Sequence, residues 1–458
     1  MSPWSSKRNE PAGAAPLFGT DGIRAEFGRP PLDEPSLLRL GTVIGRLFPG
    51  ARFLIGRDPR PSGLPIEELL GRSLGADCRI QSAGIIPTPG LAYLTRHHGF
   101  DFGIMISASH NPHQDNGIKL FSGRGEKISS ALEKKIATLF HASPSPTPPA
   151  ATARARRPAI TPLAEKQEYL RFLVSQGRPL AGTRMKLIAD LANGAARGIM
   201  PDVFRELGIK GECINDRADG RHINDQCGST QPDACRRQVL AAHADLGISF
   251  DGDADRAVFV TGQGRLMDGD YSLLVIARDM INRQPAFNRI VVGTIMSNIG
   301  LEKILSEDGI RLVRSPVGDS RVYWRMKRQG AILGGEPSGH TILRHLHTTG
   351  DGILTAIVFL TALQNLGLSA DELFSRFPVS PQKLLNIPIR RRRLLKNWLE
   401  LKQLESEFQR RHGSDSRLLI RYSGTEPMIR VMIESRRKEI IDDYLKKFSC
   451  LIKSSIGV

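Results

Sequence analysis

The sequence predicts an α/β protein of three similar α/β domains with mixed, largely parallel sheets, followed by a smaller C-terminal α+β domain. Three observations lead there. Short apolar runs ending in polar or Gly-rich loops recur in three successive blocks, the pattern of buried strands that present ligand sites at their ends. The stretch HASPSPTPPAATARARRPAITP, residues 141–162, is rich in Pro, Ala and Ser, cannot bury a core, and separates the first block from the second. After about Ser380 the pattern changes to helix, strand, Gly turn, strand and helix.

Taken in order, residues 1–16 read as a loose leader that lacks the apolar centre of a signal peptide. Residues 17–141 form the first α/β domain, with strands in RFLIGRD and DFGIMISAS and a helix in SALEKKIATLF; residues 142–162 are the linker. MKLIADLANGAA and DLGISFDGD supply strands to a second domain, 163–257, and NRIVVGTIMSN and AILGGEPSGH to a third, 258–372. In the last domain, 380–458, GTEP joins the strands RLLIRYS and IRVMIES, and RKEIIDDYLKKF closes the chain as a helix.

With 40% hydrophobic and 24% charged residues the composition is that of an ordinary globular protein, and the longest apolar run, Ile353–Leu363, is too short to cross a bilayer. A cytoplasmic protein with no membrane partner is the expectation. Cys78, Cys213, Cys227, Cys235 and Cys450 form no C-x-x-C pair, so they read as reduced thiols. His340, His345 and His347 have no nearby Cys to complete a zinc pattern and read as solvated or phosphate-facing. The net charge of +17, with patches at Arg390–Arg393 and at Arg154, Arg156 and Arg157, suits anionic partners. No nucleic-acid-binding motif accompanies it, so small phosphorylated metabolites are expected rather than specific nucleic acid. A homodimer is compatible with the sequence.

The chemistry concentrates in four loops. In SFDGDADR, Asp251, Asp253 and Asp255 alternate, so they converge on one point if the strand pleat continues. Such a cluster repels itself unless a hard cation such as Mg2+ accepts its oxygens. A calcium loop is excluded, because Arg256 stands where Gly is needed and Gly262 where Glu is needed. In SASHNP, after FGIMI, Ser107, Ser109 and His110 mark a turn or an exposed nucleophile, and Lys119 could neutralise charge or shuttle a proton. GGEPSGH offers Glu336 and Ser338 to sugar hydroxyls. RYSGTEPMIR gathers Arg421, Ser423, Thr425 and Arg430 around Gly424, as a phosphate-binding loop does. Each loop alone is also what a plain turn looks like; four at four strand ends are not. No G-x-G-x-x-G and no Gly-Lys pair is present, so nucleotide-dependent chemistry has no support.

Together these loops resemble those of the α-D-phosphohexomutases, four-domain enzymes with the active site in a central cleft, from about Leu17 to Ser435. The resemblance implies that Ser109 is a phosphoserine, that Asp251, Asp253, Asp255 and the Ser109 phosphate hold one Mg2+, and that the GEPSGH loop, including Glu336, Ser338 and His340, reads the sugar. It also implies that Arg421, Ser423, Gly424, Thr425 and Arg430 read phosphate, with Arg24, His110, Lys119 and Arg256 as candidates to stabilise charge or move the proton. FGTDGIR, INDQCGST, TIMSNIGLE and TTGDGI are similar to the branch that interconverts glucosamine 6-phosphate and glucosamine 1-phosphate. Ala25, Ala254, Pro337 and Tyr422 depart from that branch's usual residues.

Overall fold

The computed structural model describes residues 16–143, 160–163, 167–377, 379–423 and 427–457. The leader to residue 15 and Arg154, Arg156 and Arg157 lie outside the described residues. The chain divides into two compact units, one of Met1–Ile295 with Val313–Glu372 and one of Met296–Leu312 with Leu373–Val458.

The larger unit is built on sheets. The first joins β1 (Ile23–Glu26), β2 (Arg52–Arg57), β3 (Arg79–Ile85), β4 (Phe102–Ile106), β5 (Asp115–Ser122) and β6 (Ile160–Pro162) in the order β1-β5-β4-β2-β3-β6. Its inner strands are parallel, whereas β5 runs antiparallel to β1 and β4. The strand Ile160–Pro162, within the Pro-rich stretch, thus belongs to this sheet, pairing parallel with β3. The second sheet orders β7 (Leu187–Asp190), β8 (Gly211–Ile214), β9 (Leu246–Phe250), β10 (Ala257–Thr261) and β11 (Leu266–Met267) as β11-β10-β9-β7-β8. In the third, β12 (Ile290–Thr294), β13 (Arg311–Ser315), β14 (Leu333–Gly335) and β15 (Thr341–Leu343) run β13-β12-β14-β15. Mixed sheets with parallel centres are what the runs of apolar residues anticipated: every residue of β7, β9 and β10 is buried.

The helices Glu34–Leu47 and Gly63–Ser73 cover the first sheet with their apolar faces, Leu37, Leu40 and Ile44 meeting the same core as Ile66 and Leu70. Their backbones come close at Gly45, where an added Cβ would lie 1.7 Å from the Leu74 carbonyl oxygen.

The smaller unit holds β16 (Gln382–Pro388), β17 (Ser416–Tyr422) and β18 (Met428–Ser435) in the antiparallel order β16-β18-β17, with helices Leu399–His412 and Lys438–Ile456 closing a core around Trp398, Phe408, Val431 and Phe448. The block therefore opens on a strand, not on a helix as its sequence suggested. β16 is mostly exposed and lacks alternation, and only its pairing with β18 makes it a strand. The amide of Ile299, at the start of the helix Ile299–Glu307, donates to the Glu434 carboxylate at 2.7 Å, a charge the helix N-terminus favours.

Gly45→Ala is expected to destabilise the protein by about 1–3 kcal/mol or more, since a methyl group against backbone cannot be relieved by a rotamer change. Thermal melting checks this, and an unchanged melting temperature would show that the two helices can separate at no cost.

Candidate active site

β4 ends at Ile106 and delivers the serine loop, in which Ser109 is buried and takes the left-handed backbone at φ 51°. Ser109 is tied down on all sides. Its amide donates to Ser107 Oγ at 2.8 Å, and Ser107 Oγ donates to Asp58 Oδ2 at 2.6 Å. Arg60, fully buried beside Asp58, divides its guanidinium between that carboxylate and the serine loop: Nε donates to Asp58 Oδ2 at 2.9 Å, Nη2 to the carbonyls of Ser109 at 2.9 Å and Asn111 at 2.8 Å, and Nη1 to the carbonyls of Asp115 at 3.0 Å and Pro112. Asn224 adds amide donors to the Ser109 and Asn111 carbonyls at 2.8 and 3.0 Å. Gly252 admits the loop closely, for a Cβ there would meet the Ser109 carbonyl oxygen at 2.6 Å. A backbone strained at one serine and held this thoroughly marks a positioned side chain, not a plain turn.

What it is positioned against is the acidic loop. Ser109 Oγ donates to Asp251 Oδ2 at 2.5 Å. Asp251, Asp253 and Asp255 are buried and offer one carboxylate oxygen each, all within 4.8 Å of one another. They converge because the chain turns, not because a pleat continues: β9 stops at Phe250, Ala254 lies at φ 54°, and its amide closes a turn onto the Asp251 carbonyl at 3.0 Å. That left-handed backbone costs an alanine about 1–2 kcal/mol, a strain that glycine avoids.

Lys119, from the antiparallel β5, is buried and reaches Asp253 at 2.8 Å, Asp255 at 3.2 Å and Asp21 at 3.3 Å. Although burial opposes it, Asp21, Asp253 and Asp255 raise its pKa well above the usual lysine range, so it stays protonated. Burial works against Asp255 as well, but Lys119 and then His340 hold that carboxyl well below its ordinary range. Asp251 goes the other way: burial, then the charges of Asp255 and Asp253, push it well above. Such a cluster is short of positive charge. Asp253 Oδ1 and Asp255 Oδ1 are buried with no hydrogen-bond partner among the described residues, and oxygen donors with unspent lone pairs beside a serine hydroxyl fit a hard divalent cation. The three aspartates are thus able to hold a metal ion.

Around this centre, Arg256 lies 3.9 Å from Asp251 and 3.7 Å from Asp255, and Arg24 pairs with Asp21 at 2.5 Å. The exposed His110 has Nδ1 3.5 Å from Ser109 Oγ, and partial desolvation, then Arg256 and Arg24, push its pKa down to about 4. Glu336 is buried and accepts the Gly318 amide at 2.8 Å, while Ser338 is exposed. Of the three histidines expected to be solvated or phosphate-facing, two are not solvated. His340 is buried with Nδ1 3.6 Å from Asp255, His347 is buried against the Pro89 carbonyl at 3.0 Å, and only His345 is exposed.

The chain matches the four phosphoglucomutase/phosphomannomutase domain descriptions in sequence: alpha/beta/alpha domain I over residues 15–146, domain II over 167–264, domain III over 268–379 and the C-terminal domain over 384–449. The chain belongs to the phosphoglucomutase/phosphomannomutase family. It is 40% identical over 454 residues to the phosphoglucosamine mutase of Koribacter versatilis, covering 96% of this chain and 97% of that one. In structure it resembles a phosphoglucomutase/phosphomannomutase family protein from Burkholderia thailandensis, with a TM-score of 0.78 at 21% identity over 96% of this chain and 99% of that one. It also resembles the N-acetylphosphoglucosamine mutase of Aspergillus fumigatus, solved with GlcNAc-6P and magnesium, with a TM-score of 0.66 at 17% identity over 99% of this chain and 98% of that one.

The smaller unit of this phosphohexomutase carries the RYSGTEP loop between β17 and β18. Arg421 and Arg430 are direct cross-strand partners, like charges facing each other, and desolvation, then Arg430, lower the Arg421 pKa. Opposed guanidiniums are stabilised by an anion between them. Arg430 Nη2 lies 3.4 Å from Ser423 Oγ; Gly424 and Thr425 lie outside the described residues. The arginine tract reaches the same loop. Arg392 Nη2 donates to the Ser423 carbonyl at 2.7 Å and its guanidinium stacks 5.5 Å from the Tyr422 ring, while Tyr422 Oη donates to the Arg393 carbonyl at 2.6 Å.

Asp58 and Arg60 escaped the sequence reading, while Asp21 and Asn224 lie within FGTDGIR and INDQCGST, motifs noted there with no role for either residue. RDPRP looks like an ordinary charged turn, and its one signal is that it follows a buried strand as SASHNP does.

Arg60→Ala is expected to cost about 3–5 kcal/mol, because it strands the buried Asp58 charge, and to reduce activity further by freeing Ser109. Melting and turnover measured together check this; full activity would mean that the loop holds itself. Arg430→Ala should raise the KM for both substrate phosphates by about one to two decades with little loss of stability, as expected for one lost charge-assisted contact. Unchanged KM values with a lower melting temperature would make Arg430 structural.

Proposed function

We propose that this phosphohexomutase interconverts glucosamine 6-phosphate and glucosamine 1-phosphate, with Ser109 as the phosphorylated residue. The observation that carries the reading is the buried Ser109 hydroxyl, 2.5 Å from Asp251 within a three-carboxylate cluster, in a chain 40% identical to a phosphoglucosamine mutase. In the resting enzyme Ser109 Oγ bears a phosphoryl group. Asp251, Asp253 and Asp255 would hold Mg2+ beside that phosphoryl group. When bound, the ion withdraws electron density from the phosphoryl group and so stabilises its transfer. The magnesium and GlcNAc-6P bound to the structurally similar Aspergillus fumigatus protein are consistent with this assignment.

Transfer proceeds as a sugar hydroxyl oxygen loses its proton and bonds to phosphorus while the bond from phosphorus to Ser109 Oγ breaks and that oxygen takes up a proton, giving a 1,6-bisphosphate and a free serine hydroxyl. Lys119 and Arg256, both pushed up against burial by neighbouring carboxylates, stay protonated, and with Arg24 they stabilise charge. His110, neutral at physiological pH, is the one of the four candidates able to accept a proton. After the bisphosphate turns over, its other phosphate returns to Ser109 by the reverse chemistry, restoring the enzyme. Glu336, Ser338 and His340 read the sugar. Arg421, Ser423, Gly424, Thr425 and Arg430 grip the phosphate that is not transferred, whichever end of the sugar bears it.

The sugar preference is tested by coupled turnover on glucosamine 6-phosphate, glucose 6-phosphate and mannose 6-phosphate. The first is expected to give a kcat/KM higher by about tenfold or more, an amount one specific polar contact can supply. Preference for glucose or mannose would reassign the substrate. Covalent catalysis is tested by intact mass: a fraction of the purified protein should be about 80 Da heavier, mapping to Ser109. Ser109→Ala should lose that fraction and nearly all turnover, and an active Ser109→Ala protein would rule out a phosphoserine route. EDTA should abolish activity and Mg2+ restore it, whereas turnover that survives chelation would remove the metal from the reaction.

A further inference from the structure

We propose that a groove on the larger unit, between the helix Asp319–Gln329 and the chain at Arg314–Pro316, binds a nucleoside polyphosphate. The groove encloses about 350 Å3 and is lined by Arg314, Arg321, Trp324, Arg325, Arg328 and Ser130. Its size falls at the lower end of small-molecule sites and suits a single nucleotide rather than a polymer.

Two features define the ligand. Arg321, Arg325 and Arg328 occupy successive turns of one helix face, and none of the three forms an ion pair among the described residues. Arg325 Nε is buried without a hydrogen-bond partner among the described residues. Guanidiniums crowded together without carboxylates repel one another, and a chain of phosphates relieves that repulsion while matching their planar donors. Trp324 supplies the second feature. Its ring packs against the core of the third sheet and has Lys327 Nζ 4.7 Å from its centroid, and where it lines the groove it offers a stacking surface to an aromatic base, which a sugar phosphate or inorganic phosphate would leave unused. The groove shares no residue with the carboxylate centre, and none of its residues is assigned a part in the mutase reaction.

Titration calorimetry of the full chain with ADP and with inorganic pyrophosphate tests the assignment. ADP is expected to bind about tenfold or more tightly than pyrophosphate, and the Arg325→Ala/Arg328→Ala variant to lose about tenfold or more of that affinity, since a charge-assisted contact is worth about a decade. Melting temperature and mutase turnover should be unchanged in this variant, because both side chains leave the core untouched. Trp324→Ala should bring ADP down to the affinity of pyrophosphate. Equal binding of the two ligands by the unaltered protein overturns the nucleotide assignment. ADP binding that survives the arginine substitutions, or that is absent at about 5 mM, overturns the site itself.

Discussion

The mutual repulsion of Asp251, Asp253 and Asp255 is the constraint around which this protein is arranged. Three carboxylates buried within 4.8 Å of one another cannot all ionise without positive charge close by. The protein supplies part of it. Lys119 comes from β5, the strand antiparallel to the one that delivers Ser109, so one sheet brings both the nucleophile and its countercharge to the acidic loop. Asp21 extends the network outward through Lys127 and Arg24, and Lys127 in turn reaches Asp319. The balance left to a cation is visible in Asp251, the carboxyl that burial and its neighbours hold above its ordinary range and that touches the serine.

Much of this was legible in the sequence, though not always for the right reason. Aspartates at the end of a fully buried, mostly apolar strand have no role in a core, so SFDGDADR declared itself. The alternation that drew attention to it is incidental, because a turn with Ala254 in left-handed backbone does the converging. SASHNP was legible through the exposed-looking serine, yet Ser109 is buried and its precise hold comes from Arg60, a residue 49 positions earlier. Sequence pattern reports what a segment does locally. It does not report that an arginine in a turn will spend itself on the carbonyls of another loop, and burial of this kind follows only from the sheet order that sets β2 beside β4. The strand β16 was missed on the same ground, since its pairing with β18 lies in no periodicity of its own.

The positions that depart from the family branch are informative about local physics. Ala254 keeps a backbone conformation that glycine adopts more cheaply, so the loop geometry is retained at a cost. Tyr422 is more than a tolerated change: its hydroxyl and ring anchor Arg393 and Arg392, and Arg392 holds the Ser423 carbonyl. The arginine tract, conspicuous in the sequence only as charge, is in this way joined to the phosphate loop and adds to the positive field created by Arg421 and Arg430.

The central claim, that phosphate passes through Ser109 under the control of the carboxylate cluster, is most directly tested by following labelled phosphate. Glucosamine 6-phosphate carrying 32P is incubated with the protein in Mg2+, the reaction is quenched, and the label is mapped on the chain. Label is expected to appear on Ser109 within turnover time, to be chased by unlabelled substrate, and to fail to appear in Asp253→Asn. Product formed at full rate with no label on Ser109 would contradict it.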